Sequence, residues 1–371
     1  MVDQELSLFH DAAPLFSVPE FGAPMPDSDG LWHARSAGEW SSIFEQVHEF
    51  SGGYSSVGSG ARPLSLRDLF RHFLDDSILA QGIELTALHL RLLLHPLQSL
   101  VFQHRQLLAC FSDAPTSASP SAASAASGAP LAAAAATTTV TATATLARLA
   151  EARALLSRWH ALAARYLSAN PPCPLMQSTM LTHHLLALNA LCDLPALERL
   201  ARRDGVDGSY AHLAWLHARA LPDRPAALAH AGQVLRGVRA MPRSIRPPWW
   251  AAAVYRAALV LWADGLVAAE ARSPASTSAS SSSSAAAGAA GGEPAAAFAL
   301  DGLPLEHPAV ARYMATGEGT PTLTKADGGG MRVDNPFAVL FHCVDVIAEG
   351  VSTRFSDGIR SKLERLAKSW S

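Results

Sequence analysis

Apolar residues recur at helical spacing along most of this chain, and the pattern fails only in a few defined stretches. Trp40, Ile43, Phe44 and Val47 place a stripe on residues 36–50, which a glycine-serine run over 51–60 then breaks. The next segment, 64–74, opens with Ser65 and Asp68 three positions apart, the spacing of a capping box. A longer apolar segment over 78–111 contains Pro96, which removes a backbone donor and crowds the preceding turn. A kink or a boundary between two helices is expected there. The helical pattern returns at 146–168 and, after Pro171-Pro172, at 176–191, with shorter pieces at 194–203 and 210–220. Leu228, Ala231, Val234, Leu235 and Val238 mark one side of 224–240. Residues 249–269 are apolar nearly all round, as befits a helix at the centre of a bundle. Two last helices are predicted at 336–350, with Pro336 in the first turn and Gly350 at the end, and at 355–370. Residues 298–335 read as extended or loop-like.

Three regions depart from this pattern. Residues 1–35 carry Pro14, Pro19, Pro24 and Pro26 among Phe9, Leu15, Phe16, Phe21 and Trp32, which predicts an extended strap laid across a helical body. Residues 112–145 and 271–297 shift to small residues, mainly alanine and serine. They hold too few large apolar side chains to offset the entropy of ordering, and both are expected to be disordered insertions. Long surface loops add little closure cost, so both insertions are compatible with a single domain over 1–371. The predicted class is all-α: an irregular multi-helix bundle with antiparallel helix hairpins, an extended N-terminal strap and two insertions. No repeat of fixed period is present.

Composition narrows the function classes. Of 371 residues, 49% are hydrophobic, enough for a large core, and the formal net charge is -3. That balance lacks the dense basic surface by which most nucleic-acid-binding domains attract phosphates. Lysine occurs only at Lys325, Lys362 and Lys368, and the excess of arginine and alanine is what a GC-rich genome produces. Cys110, Cys173, Cys192 and Cys343 form no CxxC pair, so buried thiols in a reducing compartment account for them. Asp3, Glu5 and Asp11 interrupt the start of the chain before a secretory apolar core can develop. The apolar stretches 85–109 and 249–269 hold Arg91, His95 and Arg105, and Arg256 and Asp264, respectively, which favours core helices over a membrane location.

A search for chemistry returns little. There is no glycine-rich nucleotide loop, GxSxG elbow, HExxH motif, cysteine-histidine finger or paired-carboxylate motif. His183 and His184 are adjacent, which on a helix points them in different directions, and His89 and His95 do not share an i, i+4 spacing. No catalytic, cofactor-binding, metal-ligating or DNA-contacting residue is therefore assigned, and no enzymatic role is expected. The competing possibility is a helical small-molecule or catalytic module whose apolar pocket is lined by Trp249, Trp250, Tyr255 and Trp262, although core packing explains the same residues. Arg199, Arg202 and Arg203, and Arg236, Arg239, Arg243 and Arg246, form two basic patches that fall short of a base-reading motif. Some of these arginines are expected to cap helices or hold loops.

Several islands resemble a known family. Glu5-Leu-Ser-Leu-Phe-His-Asp11, Met25-Pro-Asp27 and Leu31-Trp-His-Ala-Arg-Ser-Ala-Gly-Glu-Trp40 are similar to the regulatory, middle-homology domain of fungal Cys2His2-type zinc-finger transcription factors, itself related to the xylanolytic activator regulatory domain. Leu197-Glu-Arg-Leu-Ala-Arg-Arg-Asp-Gly205, His230-Ala-Gly-Gln-Val-Leu-Arg236, Pro247-Pro-Trp-Trp250 and Tyr255-Arg-Ala-Ala-Leu-Val-Leu-Trp262 continue the resemblance. The segment from Gly350-Val-Ser-Thr-Arg-Phe-Ser356 through Trp370 resembles its usual ending. The resemblance implies a nuclear module that modulates RNA polymerase II transcription through co-regulator proteins, self-association or a small effector. It also implies that DNA is contacted only through a zinc-finger segment, and that zinc is bound only there. These residues contain no such finger, which is the expectation for a domain fragment, a truncated gene model or a degenerate paralogue. No cofactor is expected in the chain itself, and no membrane partner.

Overall fold

A computed structural model of the chain describes residues 2–10, 12, 14–15, 20–25, 29–50, 64–112, 129–206, 209–272 and 297–370. The described residues are mostly helical, as the spacing of apolar positions predicts, and they fall into two compact units, Met1–Met176 and Gln177–Ser371.

In unit one the helices are α1 (Val2–His10), α2 (Asp29–His33), α3 (Ala37–Phe50), α4 (Leu66–Leu74), α5 (Ala87–Ser112) and α6 (Ala129–Ala169). The core is an α5–α6 hairpin covered by α4 and α1, built on Leu69, Phe73, Leu90, Leu93, Leu94, Leu97, Leu156 and Trp159. The capping box forms as expected. Ser65 Oγ accepts from the Asp68 N–H at 3.1 Å, and Asp68 Oδ2 accepts from the Ser65 hydroxyl at 2.6 Å and from its backbone N–H at 3.3 Å. The Ser65 hydrogen bond holds the Asp68 carboxyl below its ordinary range. Buried polar groups tie the unit together: Trp159 Nε1 donates to Leu90 O at 3.0 Å, Gln98 Nε2 to Gln4 O at 2.8 Å, and Arg91 pairs with Glu5 at 3.0 Å.

Four expectations for unit one are refined. The start of the chain is helical over α1, and the extended part is shorter, pairing Met25 N–H with Leu64 O and Arg67 N–H with Phe21 O. Pro96 lies inside a continuous α5 instead of dividing it, since packing on both sides compensates for one lost donor. Residues 129–145, read as part of an insertion, are the first turns of α6. Alanine is the strongest helix former, and the anchored segment beyond Leu146 supplies the nucleus that this run lacks by itself. Trp40 and Phe44 stack on each other at 5.0 Å and stay partly exposed, so their stripe is not buried among the described residues. Residues 113–128 and 273–296, the remaining parts of the two expected insertions, lie outside the described residues.

Unit two contains α7 (Pro174–Leu191, its first three residues preceding the boundary), α8 (Leu194–Ala201), α9 (Tyr210–Ala220), α10 (Arg224–Ala240), α11 (Trp250–Ala271), α12 (Pro308–Thr316), α13 (Pro336–Ala348) and α14 (Arg354–Trp370). Helix α11 is the axis, contacting α8, α9, α10, α13 and α14. It is long and apolar enough to cross a membrane by length and composition, but its side chains from Trp250 to Leu266 are nearly all buried against these neighbours. Pro336 opens α13 as expected, with Asn335 Oδ1 accepting from the Ala338 N–H at 3.0 Å.

The segment read as extended or loop-like holds a small sheet. Strand β1 (Ala297–Ala299) runs parallel to β2 (Thr320–Thr324), with Phe298 opposite Pro321, and β2 runs antiparallel to β3 (Gly330–Arg332), with Leu323 opposite Met331. The crossover between β1 and β2 contains α12. Gln233 of α10 fixes the sheet end by donating to Leu300 O at 2.9 Å and Leu303 O at 2.8 Å. At Gly232 a Cβ would stand 2.7 Å from Leu300 O, so only glycine permits this approach of helix to strand end.

Candidate functional site

Unit two buries several polar side chains. On α7, His183 and His184 are 2% and 6% exposed, and on α10 His230 is 8% exposed. Successive helix residues leave the axis about 100° apart, but these two lie on a segment buried on all sides, so neither ring can reach water by diverging. They meet edge to face with ring centroids 5.0 Å apart, and His230 arrives from α10 with its centroid 5.3 Å from His184 and 6.0 Å from His183. The Nδ1 atoms of His184 and His230 are 3.1 Å apart.

This arrangement corrects the expectation that the chain holds no cofactor position. His183 and His184 of unit two belong to a set of ring nitrogens that could hold a metal ion. Adjacency argued against ligation only for an isolated helix, where two successive side chains share no partner. His230, 46 positions along from His184, meets that residue's ring within unit two. The available sequence signal was a histidine in the middle of the otherwise apolar run 226–232, a place where an ionisable group needs a partner.

A second buried group surrounds Asp264 of α11. Arg224 donates to it through Nε and, at 2.9 Å, through Nη2, and His217 Nε2 lies 3.2 Å from Oδ1. Burial pushes the carboxyl up, while the bonds from His217 and Arg224 outweigh it and hold the group below the usual carboxylate range. A third group centres on Asp301. It accepts from Arg239 Nη1 at 2.9 Å and from the Thr324 N–H at 2.8 Å, with His342 Nε2 3.9 Å away. Burial lowers the His342 pKa against the pull of Asp301. Both groups join helices to each other or to the sheet, and the Thr324 hydroxyl also donates to Asp301 Oδ1 at 3.0 Å.

The four aromatics that sequence placed around a possible pocket serve packing. Trp262 meets Trp370 edge-on at 5.5 Å, Arg246 lies 5.0 Å over Trp250, and Lys362 Nζ lies 4.0 Å over Tyr255. Trp249 is 8% exposed beside them. An open cavity of about 810 Å³ in unit two is lined instead by residues such as Arg272, Lys325, Arg332 and Asp334. Four arginines of the two basic patches make internal contacts. Arg202 pairs with Glu198 at 3.3 Å, Arg203 lies 4.6 Å over Trp370, Arg239 binds Asp301 and Thr324 O, and Arg246 donates to Met241 O at 3.4 Å. These arginines hold caps and loops, as the sequence indicated for some of them.

Comparison with known proteins adds what geometry alone does not carry. No family model matches the chain, and no solved structure matches it. Among curated proteins, a transcription factor of Zymoseptoria tritici is 55% identical over 99% of this chain, and Transcription factor 1 of Elsinoe fawcettii is 44% identical over 99%. Transcription factor PfmaH of Pestalotiopsis fici is 33% identical over 100% of the chain. The chain spans 36%, 35% and 35% of the length of these three relatives, respectively. Transcription factors are a non-catalytic class, in keeping with the lack of catalytic motifs in the sequence. The chain is homologous to a segment, about a third in length, of fungal transcription factors.

Proposed function

We propose that residues 1–371 act as one helical regulatory domain of a fungal transcription factor, working in the nucleus to modulate RNA polymerase II transcription. The observation that carries this reading is the match of 99% of the chain, at 55% and 44% identity, to segments of two transcription factors. The near-neutral charge and the internal use of its arginines support a division of labour. DNA is contacted by a zinc-finger segment elsewhere in a longer protein, and this chain presents a folded surface to co-regulators or to a second copy of itself. Its buried aromatics and ion pairs serve that role by keeping the surface in a fixed shape.

The reading is tested by deleting this segment from the longer protein in its fungal host. DNA binding of the remainder in vitro should persist, while transcript levels of its bound genes change several-fold. Unchanged transcript levels with the shortened protein present at normal abundance would contradict it.

A further inference from the structure

We propose that the outward face of α13 in unit two is a dimer interface, covered in solution by the same face of a second copy of this chain, with the two helices antiparallel. The proposal rests on the regulatory reading above, for which it names one partner, and its test reads mass instead of transcription.

The first ground is the pattern of side chains. Helix α13 buries Val339, Leu340, Cys343, Val346 and Ile347 on its inner side. A surface helix ordinarily turns polar residues outward on the opposite side. Here that side carries Phe337, Phe341, Val344 and Ala348, spaced four, three and four residues apart. At 1.5 Å per residue they form a stripe about 16 Å long. Phe341 is 56% exposed and Ala348 is exposed, while Phe337 and Val344 are half-buried. A lone exposed apolar residue is ordinary, but four in register on one helix face mark a contact surface.

The second ground is the charge at the two ends of the stripe. Arg272, Lys325 and Arg332 line the open cavity of about 810 Å³, whose wall includes Pro336 and Phe337 at the start of α13. Asp334 pairs with both arginines, at 2.8 and 2.7 Å, so three cations share one carboxylate there. Toward the other end Asp345 is exposed and Glu349 is half-buried, with the Arg246 charge acting on Glu349. The stripe is therefore basic at its first residue and acidic near its last.

That polarity selects a second copy as the occupant. A parallel pair would set like charges against each other, whereas a two-fold axis across the stripe sets each basic end on the partner's acidic end. Around the midpoint Phe337 then faces the partner's Ala348, and Phe341 faces the partner's Val344, large against small. Antiparallel helix dipoles add to the match. A uniformly acidic occupant would meet Asp345 with like charge, and a purely apolar one would leave the cations without compensation. One helix face with its rims reaches only the low end of stable interfaces, about 800 Å² per partner or less, so the dimer dissociates in the micromolar range.

Sedimentation velocity of the full chain, from about 1 to 200 µM, reads the assembly directly. The expected result is a monomer–dimer equilibrium with no larger species, since a two-fold contact closes on itself. Phe341→Asp brings two carboxylates together near the middle of the stripe. It should weaken dimerisation at least about 10-fold while the circular dichroism stays that of the parent chain. Lys325→Glu or Asp345→Lys alone should weaken it several-fold, and the two together should recover much of the loss, because the ends then exchange sign. These two exposed positions keep the test decisive should Phe341→Asp fail to fold. A monomer at every concentration, a dimer indifferent to Phe341→Asp, or charge variants without rescue would each overturn the proposal. A monomer that still alters transcription when tethered to a promoter would remove the dimer and leave the regulatory reading standing.

Discussion

Arg224 at the first turn of α10 and Asp264 in α11 face each other side-on, with Nη2 2.9 Å from Oδ2 and Nε bonded to Oδ1. Asp264 is 2% exposed, while Arg224 is 43% exposed. The carboxylate therefore depends on the guanidinium for charge compensation and has His217 Nε2 as a further hydrogen-bonding neighbour. Removal of Arg224 leaves a buried anion with His217 alone. Arg224→Ala should lower the unfolding free energy by about 2–3 kcal/mol, the low end for a broken buried pair because the guanidinium is partly solvated. Urea denaturation measures this directly, and a loss below about 0.5 kcal/mol would contradict the assignment.

The same pair sets an acid response. Asp264 has a folded-state pKa below its unfolded value, so the stability it contributes is present above the unfolded value near 3.8 and is lost as pH falls through the folded one. Arg224 and His217 are its hydrogen-bonding neighbours, and Tyr313, whose hydroxyl burial pushes up to about 12, stays neutral throughout. The stability difference between wild type and Asp264→Asn should therefore shrink below pH 4. A difference that does not change down to pH 3 would remove Asp264 from the account.

Two glycines of α10 should respond in opposite senses. A Cβ on Gly232 would lie 2.7 Å from the Leu300 carbonyl oxygen, and main chain cannot step aside cheaply. Gly232→Ala should destabilise by about 1–3 kcal/mol. At Gly237 the nearest atom is Leu181 Cδ1 at 3.7 Å, an ordinary contact, so Gly237→Ala should stabilise the helix by about 0.5–1 kcal/mol. Thermal melts of both variants test the pair, and equal shifts would refute the packing of α10 on the sheet.

Residues 273–296 are serine, alanine and glycine in the main, and elastase should cut there early. Within unit two, α11 packs on α13 and Gln233 holds Leu300 and Leu303 across that interval. The two fragments of unit two should co-elute after cleavage. Their separation without denaturant would contradict the shared core.

Long elements were legible because their periodicity was dense. The ends of α9 and α10 and the Ser65 capping box follow from local residues alone, and α11 follows from an apolar run too long for a strand. The sheet was not legible, because β1 and β3 are three residues each and β2 begins with Thr-Pro, so no alternation could accumulate. Its one local clue was Asp327-Gly328 between β2 and β3, where Gly328 takes φ 83° and Lys325 N–H reaches Gly329 O at 2.9 Å. Pro96 misled in the other direction, since the packing that carries α5 through it comes from α6 and α4, far away in sequence. The histidine cluster needed two helices to be placed side by side, and spacing within either one carries no such information.

The central claim is that this chain regulates transcription without reading DNA. Its most direct measurement fuses residues 1–371 to a heterologous DNA-binding domain and follows a reporter bearing that domain's sites in a filamentous fungus. The account predicts a change of several-fold, up or down, relative to the DNA-binding domain alone. Reporter output equal to that of the DNA-binding domain alone, with the fusion intact and nuclear, would contradict it.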